Sequence, residues 1–195
     1  MLGSQGLFDK QKPWAESIRV PLLARVPGVT PRQERAPVDA PDLMPTLLSL
    51  CGLAVPATVQ GRDFSPTLLH GEPSGIDAAL LALYVPFHQW RYEDGGREFR
   101  GLQTTDCTYV RTLEGPWLLY DNRQDPAQLH NLVHEPAWAG QMAELDTRLT
   151  ARLQEVGDDF APGREIIRRE AYRLNEQGDI AYEQGVLAEP WPAVP

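Results

Sequence analysis

The chain has 195 residues, 42% of them apolar and 23% charged, an ordinary globular composition for a length able to bury roughly 70% of its unfolded surface. Eighteen basic against 27 acidic side chains leave a net charge of −9, which argues against a general nucleic-acid binder and requires a local cationic pocket for any anionic ligand. No apolar run approaches the about 18 residues of a membrane span, and the N-terminus carries no signal-peptide pattern, so the compartment stays unread. Cys51 and Cys107 alone build neither a disulfide framework nor a zinc site.

In chain order, Ile18 to Val26 (IRVPLLARV) is almost continuously apolar. That pattern predicts a strand buried on both faces, paired over Leu22 to Val26 because Pro21 has no N–H to donate. Pro27-Gly28 ends it. Asp42 to Cys51 predicts a helix: Leu43, Leu47, Leu50 and Cys51 recur at helical spacing, Pro41 suits the first turn and Gly52 the position past the end. Cys51 reads there as a small core residue. Ser65 to His70 predicts a short helix or turn, and Gly71 to Gly75 a surface connection.

Past residue 75 the period changes to two. Ala79 to Val85, Glu98 to Thr104, Thr108 to Leu113 and Trp117 to Tyr120 predict four short strands, with Gly-rich turns that favour antiparallel hairpins. Alternation places Trp117 and Leu119 on one side of their strand, Leu118 and Tyr120 on the other. Pro136 to Val156 predicts an amphipathic helix presenting Met142, Leu145, Leu149, Leu153 and Val156, stopped by Gly157. One of the two strand pairs should meet Leu145 and Leu149, because a half-buried sheet and an apolar helix stripe each need cover. Ile166 to Leu174 suits a further short helix within a tail of mixed charge that ends in a proline-rich stretch, Glu189 to Pro195.

A parallel strand at Leu22 to Val26 needs neighbours on both edges, and nothing before it offers one. Either it joins the later antiparallel sheet, or the chain is the C-terminal piece of a longer α/β enzyme.

The order of segments bears on that choice. Met1-Leu-Gly-Ser-Gln-Gly-Leu-Phe-Asp-Lys10, Pro13-Trp14 and Glu16-Ser-Ile-Arg-Val-Pro21 resemble the type I sulfatases of the alkaline-phosphatase superfamily, where M-L-G-x-H-G-L-x-x-K precedes E-S-x-R-V-P. The resemblance continues through Asp42-Leu-Met-Pro-Thr-Leu-Leu, Val59-Gln-Gly-Arg-Asp63 and Ser65-Pro-Thr-Leu-Leu69. It resumes at Phe99-Arg-Gly101, Tyr109-Val-Arg111 and Leu119 to Leu132, which is similar to L-Y-D-L-x-x-D-P-x-E-x-x-N-L. These blocks, in the family's order, cover about residues 1 to 156.

This resemblance implies an α/β fold: the distal part of an alkaline-phosphatase-like parallel-sheet domain (1–76), a small antiparallel four-stranded sheet with a packed C-terminal helix (77–157), and a tail (158–195). It implies a sulfuric-ester hydrolase whose full-length form uses calcium and a formylglycine made from C-x-P-S/A-R. No such motif occurs here, since Cys51 precedes Gly-Leu-Ala and Cys107 precedes Thr-Tyr-Val, and the calcium-binding acids of the family lie upstream of Met1. The chain alone is therefore expected to be inactive and to hold no metal. Gln5 stands where many relatives have His.

Lys10 matches the family lysine that reaches the sulfate and its bridging oxygen, where an ammonium stabilises the charge developing as the S–O bond breaks. Lys12 reads as solvated, and Glu16 with Arg19 as a bracing ion pair. His88, Gln89 and Trp90, on a loop between strands, and Arg100 are the candidate substrate-binding residues, an aromatic and polar set suited to a sulfated sugar in the full-length enzyme. His130 and His134 suit capping or surface roles. Phosphonate or phosphodiester hydrolysis is the nearest enzymatic alternative, and a non-catalytic glycan- or partner-binding module the next. Pairing with another chain through the orphaned strand 22–26 is a further expectation.

Overall fold

The computed structural model describes residues 1–174. After an N-terminal loop come α1 (Ala15–Ile18), α2 (Ala40–Leu50) and α3 (Ser65–His70), then β1 (Ala78–Leu83), β2 (Phe99–Thr104), β3 (Cys107–Thr112) and β4 (Gly115–Asp121). A long helix α4 (Ala139–Glu155) and a short α5 (Gly163–Arg169) close the described part. The four strands form one antiparallel meander, β1-β2-β3-β4, in the order in which the period-two segments occur. The proline-rich end, Glu189 to Pro195, lies outside the described residues.

Each sheet face is covered. On one side, Leu102, Tyr109 and Leu119 pack with Leu145, Leu149 and Leu153 of α4, the stripe that the helical spacing predicts. On the other, Phe99, Val110, Leu118 and Tyr120 pack with Trp14 and Trp90. Leu119 thus meets the helix, but Trp117 does not share its side. The pairing jumps from Val110↔Leu118 to Arg111↔Pro116, leaving Trp117 as an extra residue that turns against Trp14 and Trp90. A bulge of this kind breaks the alternation from which the sidedness of Trp117 was read.

The N-terminal segments differ more. Leu22 to Val26 forms no strand: Leu22 to Arg25 are exposed, with Leu23 at 94%, and Val26 is half-buried. The sheet among the described residues ends at β1 and β4, and the run pairs with neither edge. In α2, Asp39 and Asp42 form a reciprocal capping box at the start. The buried positions are Asp42, Pro45 and Thr46, while Leu43, Met44 and Leu47 face outward. Cys51 is exposed as well, not a core residue. The inward face is fixed by polar bonds to the following loop: Asp42 accepts from the Arg62 amide at 2.7 Å, and the Thr46 hydroxyl from the Phe64 amide at 2.8 Å. Gly61 permits that approach, because a Cβ there would lie 1.9 Å from the Pro41 carbonyl oxygen.

The segment after α4 is docked rather than loose. Arg100, fully buried in β2, holds Asp158 through Nε at 2.5 Å and Nη2 at 3.3 Å, and donates from Nη1 to the Leu83 and Phe99 carbonyls. Its guanidinium is flanked by the Tyr84 and Phe160 rings, 3.9 and 4.7 Å from their centroids. Glu98 takes the Gly163 amide at 2.8 Å, anchoring the start of α5.

Burial alone would raise the Asp158 carboxyl, but hydrogen bonds from Arg100 and the Phe160 amide outweigh it and hold it below the usual carboxylate range. Its stabilisation is therefore present above the unfolded-state value, about 3.9, and lost as pH falls through the lower folded value. Asp158→Asn leaves Arg100 buried without its counter-charge and should lower unfolding free energy by about 3–5 kcal/mol. Urea titrations at pH 7 and at pH 3 check this: the variant's deficit shrinks at the acid end.

Candidate functional site: the Lys10 loop

The loop carrying Lys10 is tightly wound. Leu2 bridges Phe8, Ser4–Gly6 makes a 3₁₀ turn, and the N-terminal amine donates to the Asp9 carbonyl at 2.5 Å. Gln5, Asp9 and Gln11 all take positive φ (59°, 63° and 71°), the left-handed region that costs an L-residue about 1 kcal/mol or more. Tertiary bonds fasten the loop at Gln5 and Ala15. Gln5 donates from Nε2 to the Gln128 carbonyl at 2.7 Å, and the Gln128 side-chain oxygen accepts the Ala15 amide at 2.7 Å. The Trp14 indole donates to the Tyr120 hydroxyl at 3.1 Å, joining the loop to β4.

Lys10 is exposed, its side chain free to meet a ligand in solvent. Lys12, read as solvated from sequence, is instead 2% exposed. Its Nζ donates to the Lys10 carbonyl at 3.1 Å and lies 5.4 Å from the centroid of the Trp90 ring. Burial pushes the Lys12 ammonium below its usual value, and the charges of Asp9 and Asp94 only partly oppose the shift. The Glu16–Arg19 ion pair does not form among the described residues; both side chains line a shallow depression with Val20, Pro21 and Pro126.

The candidate substrate residues separate. His88 is exposed with φ 48°, and Gln89 beside it is half-buried with its Oε1 unpaired. Trp90 is 4% exposed, stacked on Trp117 at 6.1 Å and tilted against Phe99, so its face is spent on the core. Arg100 is buried on the Asp158 side of β2 with its donors engaged inside the chain, and presents no surface to a ligand. The structure thus brings the 88–90 loop to the Lys10 loop through Trp90 and Lys12, and places Arg100 elsewhere. Asp125 Oδ2 accepts the backbone amide of His130 at 2.7 Å, the His130 ring is exposed, and so is His134. Among the described residues no three His, Cys, Asp or Glu side chains gather as a cation cage. The described residues therefore offer no calcium cage, and neither Cys51 nor Cys107 stands in a C-x-P-S/A-R sequence.

Comparison with known proteins agrees with this architecture. The family model for N-sulphoglucosamine sulphohydrolase, C-terminal, matches residues 3–157. The chain belongs to that family and corresponds to the C-terminal part of the sulfatases it matches. It is 36% identical over 168 residues to an ulvan-active sulfatase of Formosa agariphila, covering 82% of this chain and 32% of that protein. It is 36% identical over 138 residues to an endo-4-O-sulfatase of Bacteroides thetaiotaomicron, covering 63% of this chain and 27% of the other. Among solved structures, a protein in complex with its substrate D-glucosamine-2-N,6-O-disulfate superposes with TM-score 0.68 at 25% identity, over 84% of this chain and 33% of that one. A phosphonate monoester hydrolase from Silicibacter pomeroyi superposes at TM-score 0.57 and 26% identity, over 70% and 29% of the two chains. The chain spans about a third or less of the length of the curated relatives named here. No helix among the described residues is long and apolar enough to cross a membrane.

The depressed Lys12 ammonium gives a pH signature. A lysine whose folded value lies below its unfolded value, about 10.4, destabilises the fold while charged, and that cost fades as pH rises between the two values. The stability of the native sequence relative to Lys12→Met should therefore rise with pH up to about 10, with Lys12→Met equally or more stable at pH 7. Paired thermal melts across that range check it.

Proposed function

We propose that this chain supplies the sulfate-contacting lysine and part of the substrate wall of a sulfatase that acts on sulfated glycans. The observation that supports it most is Lys10, an exposed ammonium within a family-matched block, on a loop fastened to the small sheet at Gln128 and Tyr120. Fixed there, its charge needs little reorganisation to meet an oxygen that becomes negative as a sulfate ester breaks. His88 and Gln89, on the adjoining loop, are the groups left to meet sugar hydroxyls. The named relatives favour sulfate: the ulvan-active sulfatase is 36% identical, and the structure holding a disulfated glucosamine superposes better than the phosphonate hydrolase. Phosphonate chemistry remains the second reading on the strength of the latter resemblance, since a lysine serves phosphoryl oxygens in the same way.

The chain is inactive by itself in this reading, because its 195 residues contain no C-x-P-S/A-R nucleophile motif. The exposed outer face of α2, with Leu47 at 61%, and the strap at Val20, Leu22 and Leu23 are the apolar surfaces through which it docks on the rest of the fold.

Purified chain should release no nitrophenol from 4-nitrophenyl sulfate. Joined behind the N-terminal two thirds of the ulvan-active sulfatase, it should restore hydrolysis, and Lys10→Ala should then lower kcat by about 100–1000-fold. Lys10-dependent turnover by the isolated chain, or a restored activity indifferent to Lys10→Ala, would sink the reading.

A further inference from the structure

On the α4 side of the sheet, away from the Lys10 loop, a cavity of about 260 Å³ opens between the helix and the β1 edge. Arg62, from the loop between α2 and α3, and Arg148 and Arg152, from successive turns of α4, line it together with Asp77 and Glu155; Leu102 adds an apolar wall. Three guanidinium groups against two carboxylates leave the lining with a net charge of +1, in a chain whose total is −9.

The carboxylates do not exhaust the arginines. Arg148 pairs with Asp77 at 2.8 Å, Arg152 donates from Nη1 to Glu155 at 2.6 Å, and Arg62 reaches the Ala78 carbonyl from Nη2 at 3.3 Å. The Nε atoms of both Arg62 and Arg152 are buried and have no hydrogen-bond partner among the described residues. A guanidinium has donors only, so each of these N–H groups calls for an oxygen acceptor, and leaving one buried and unmet costs more than a typical hydrogen bond contributes. Arg152 first, through its hydrogen bond and charge, and Arg62 through its charge hold the Glu155 carboxyl below its usual range, which places both cations at the same corner. The volume exceeds the share of several water molecules, about 30 Å³ each, but is small for a drug-sized ligand, so it suits one compact anionic group.

We propose that this cavity is an oxyanion site, separate from the Lys10 surface, that takes a sulfate or carboxylate group on the Nε–H edges of Arg62 and Arg152. The group reaches it either as a free anion or as a substituent of a sugar. The proposal does not depend on Lys10 being catalytic, because the two sites share no residue and lie on opposite faces of the sheet.

The test is an arginine-selective ¹H–¹⁵N titration of the full chain, at constant ionic strength, with sodium sulfate, sodium acetate and D-glucosamine 6-sulfate in separate arms. Saturable shifts of the Arg62 and Arg152 Nε–H signals are expected in at least one arm. A response to sulfate or acetate identifies a free-anion site, and a response to the sulfated sugar alone identifies a substituent site. Arg62→Lys and Arg152→Lys keep the charge but lose the planar fork, and each should weaken binding at least about tenfold. Lys10→Ala should not change it. No saturable shift with any probe overturns the proposal on the native chain alone, whatever the variants' stability. So does binding unaltered by both arginine substitutions, or binding abolished by Lys10→Ala.

Discussion

Gln128 is a buried amide whose every group is committed, and the placement of the Lys10 loop depends on it. Its Nε2 donates to the Thr108 hydroxyl at 2.9 Å and to Asn122 Oδ1 at 3.1 Å, fixing the amide against β3. Its Oε1 and its backbone carbonyl then receive Ala15 and Gln5, residues more than 110 positions earlier in the chain. Each bond contributes about 1 kcal/mol net, but a buried partner left unmet costs about 1–3 kcal/mol, so the set is worth most as a constraint on geometry. The small sheet is in this sense the bench on which the N-terminal loop is mounted, and the strained φ of Gln5 is held by its bond to Gln128.

That bench is stiff because both faces are occupied. The α4 stripe fills one face with Leu145, Leu149 and Leu153, and the Trp14, Trp90 and Trp117 group fills the other. The bulge at Trp117 delivers a third indole to the second face, where a regular strand would have pointed it at α4. Arg100 serves the β1–β2 edge: a cation in the sheet, satisfied by Asp158 and two carbonyls, that draws the post-α4 segment back over the strands. Lys10 is mounted on the aromatic side of the sheet, and the arginine cavity opens on the helical side.

What was legible in the sequence was local. Period-two runs located all four strands to within a residue or two, and the helical spacing of Leu145, Leu149 and Leu153 named the buried stripe, because each pattern is generated by the element itself. What was not legible depended on residues far away. IRVPLLARV reads as buried, yet it pairs with neither edge of the sheet, and α2 turns Leu43 and Leu47 outward because Asp42 and Thr46 claim the inner face by bonding to residues 62–64. Lys12 looks like any polar loop lysine until Trp90, nearly 80 positions on, closes over it. Arg100 resembles an anion contact for the same reason, since nothing near it in sequence announces Asp158. Nothing local to Gln128 announces its structural role; its place in the family-like stretch Leu119 to Leu132 is the one signal for it in the sequence.

The central claim is that Gln128 couples the Lys10 loop to the sheet, and amide hydrogen exchange on Gln128→Met tests it most directly. The side chain is nearly volume-matched and lacks both the acceptor for Ala15 and the donor for Thr108. The account predicts that the Ala15 amide loses protection while the β3–β4 ladder amides keep theirs. Undiminished protection of Ala15 in a variant with an intact ladder would contradict it.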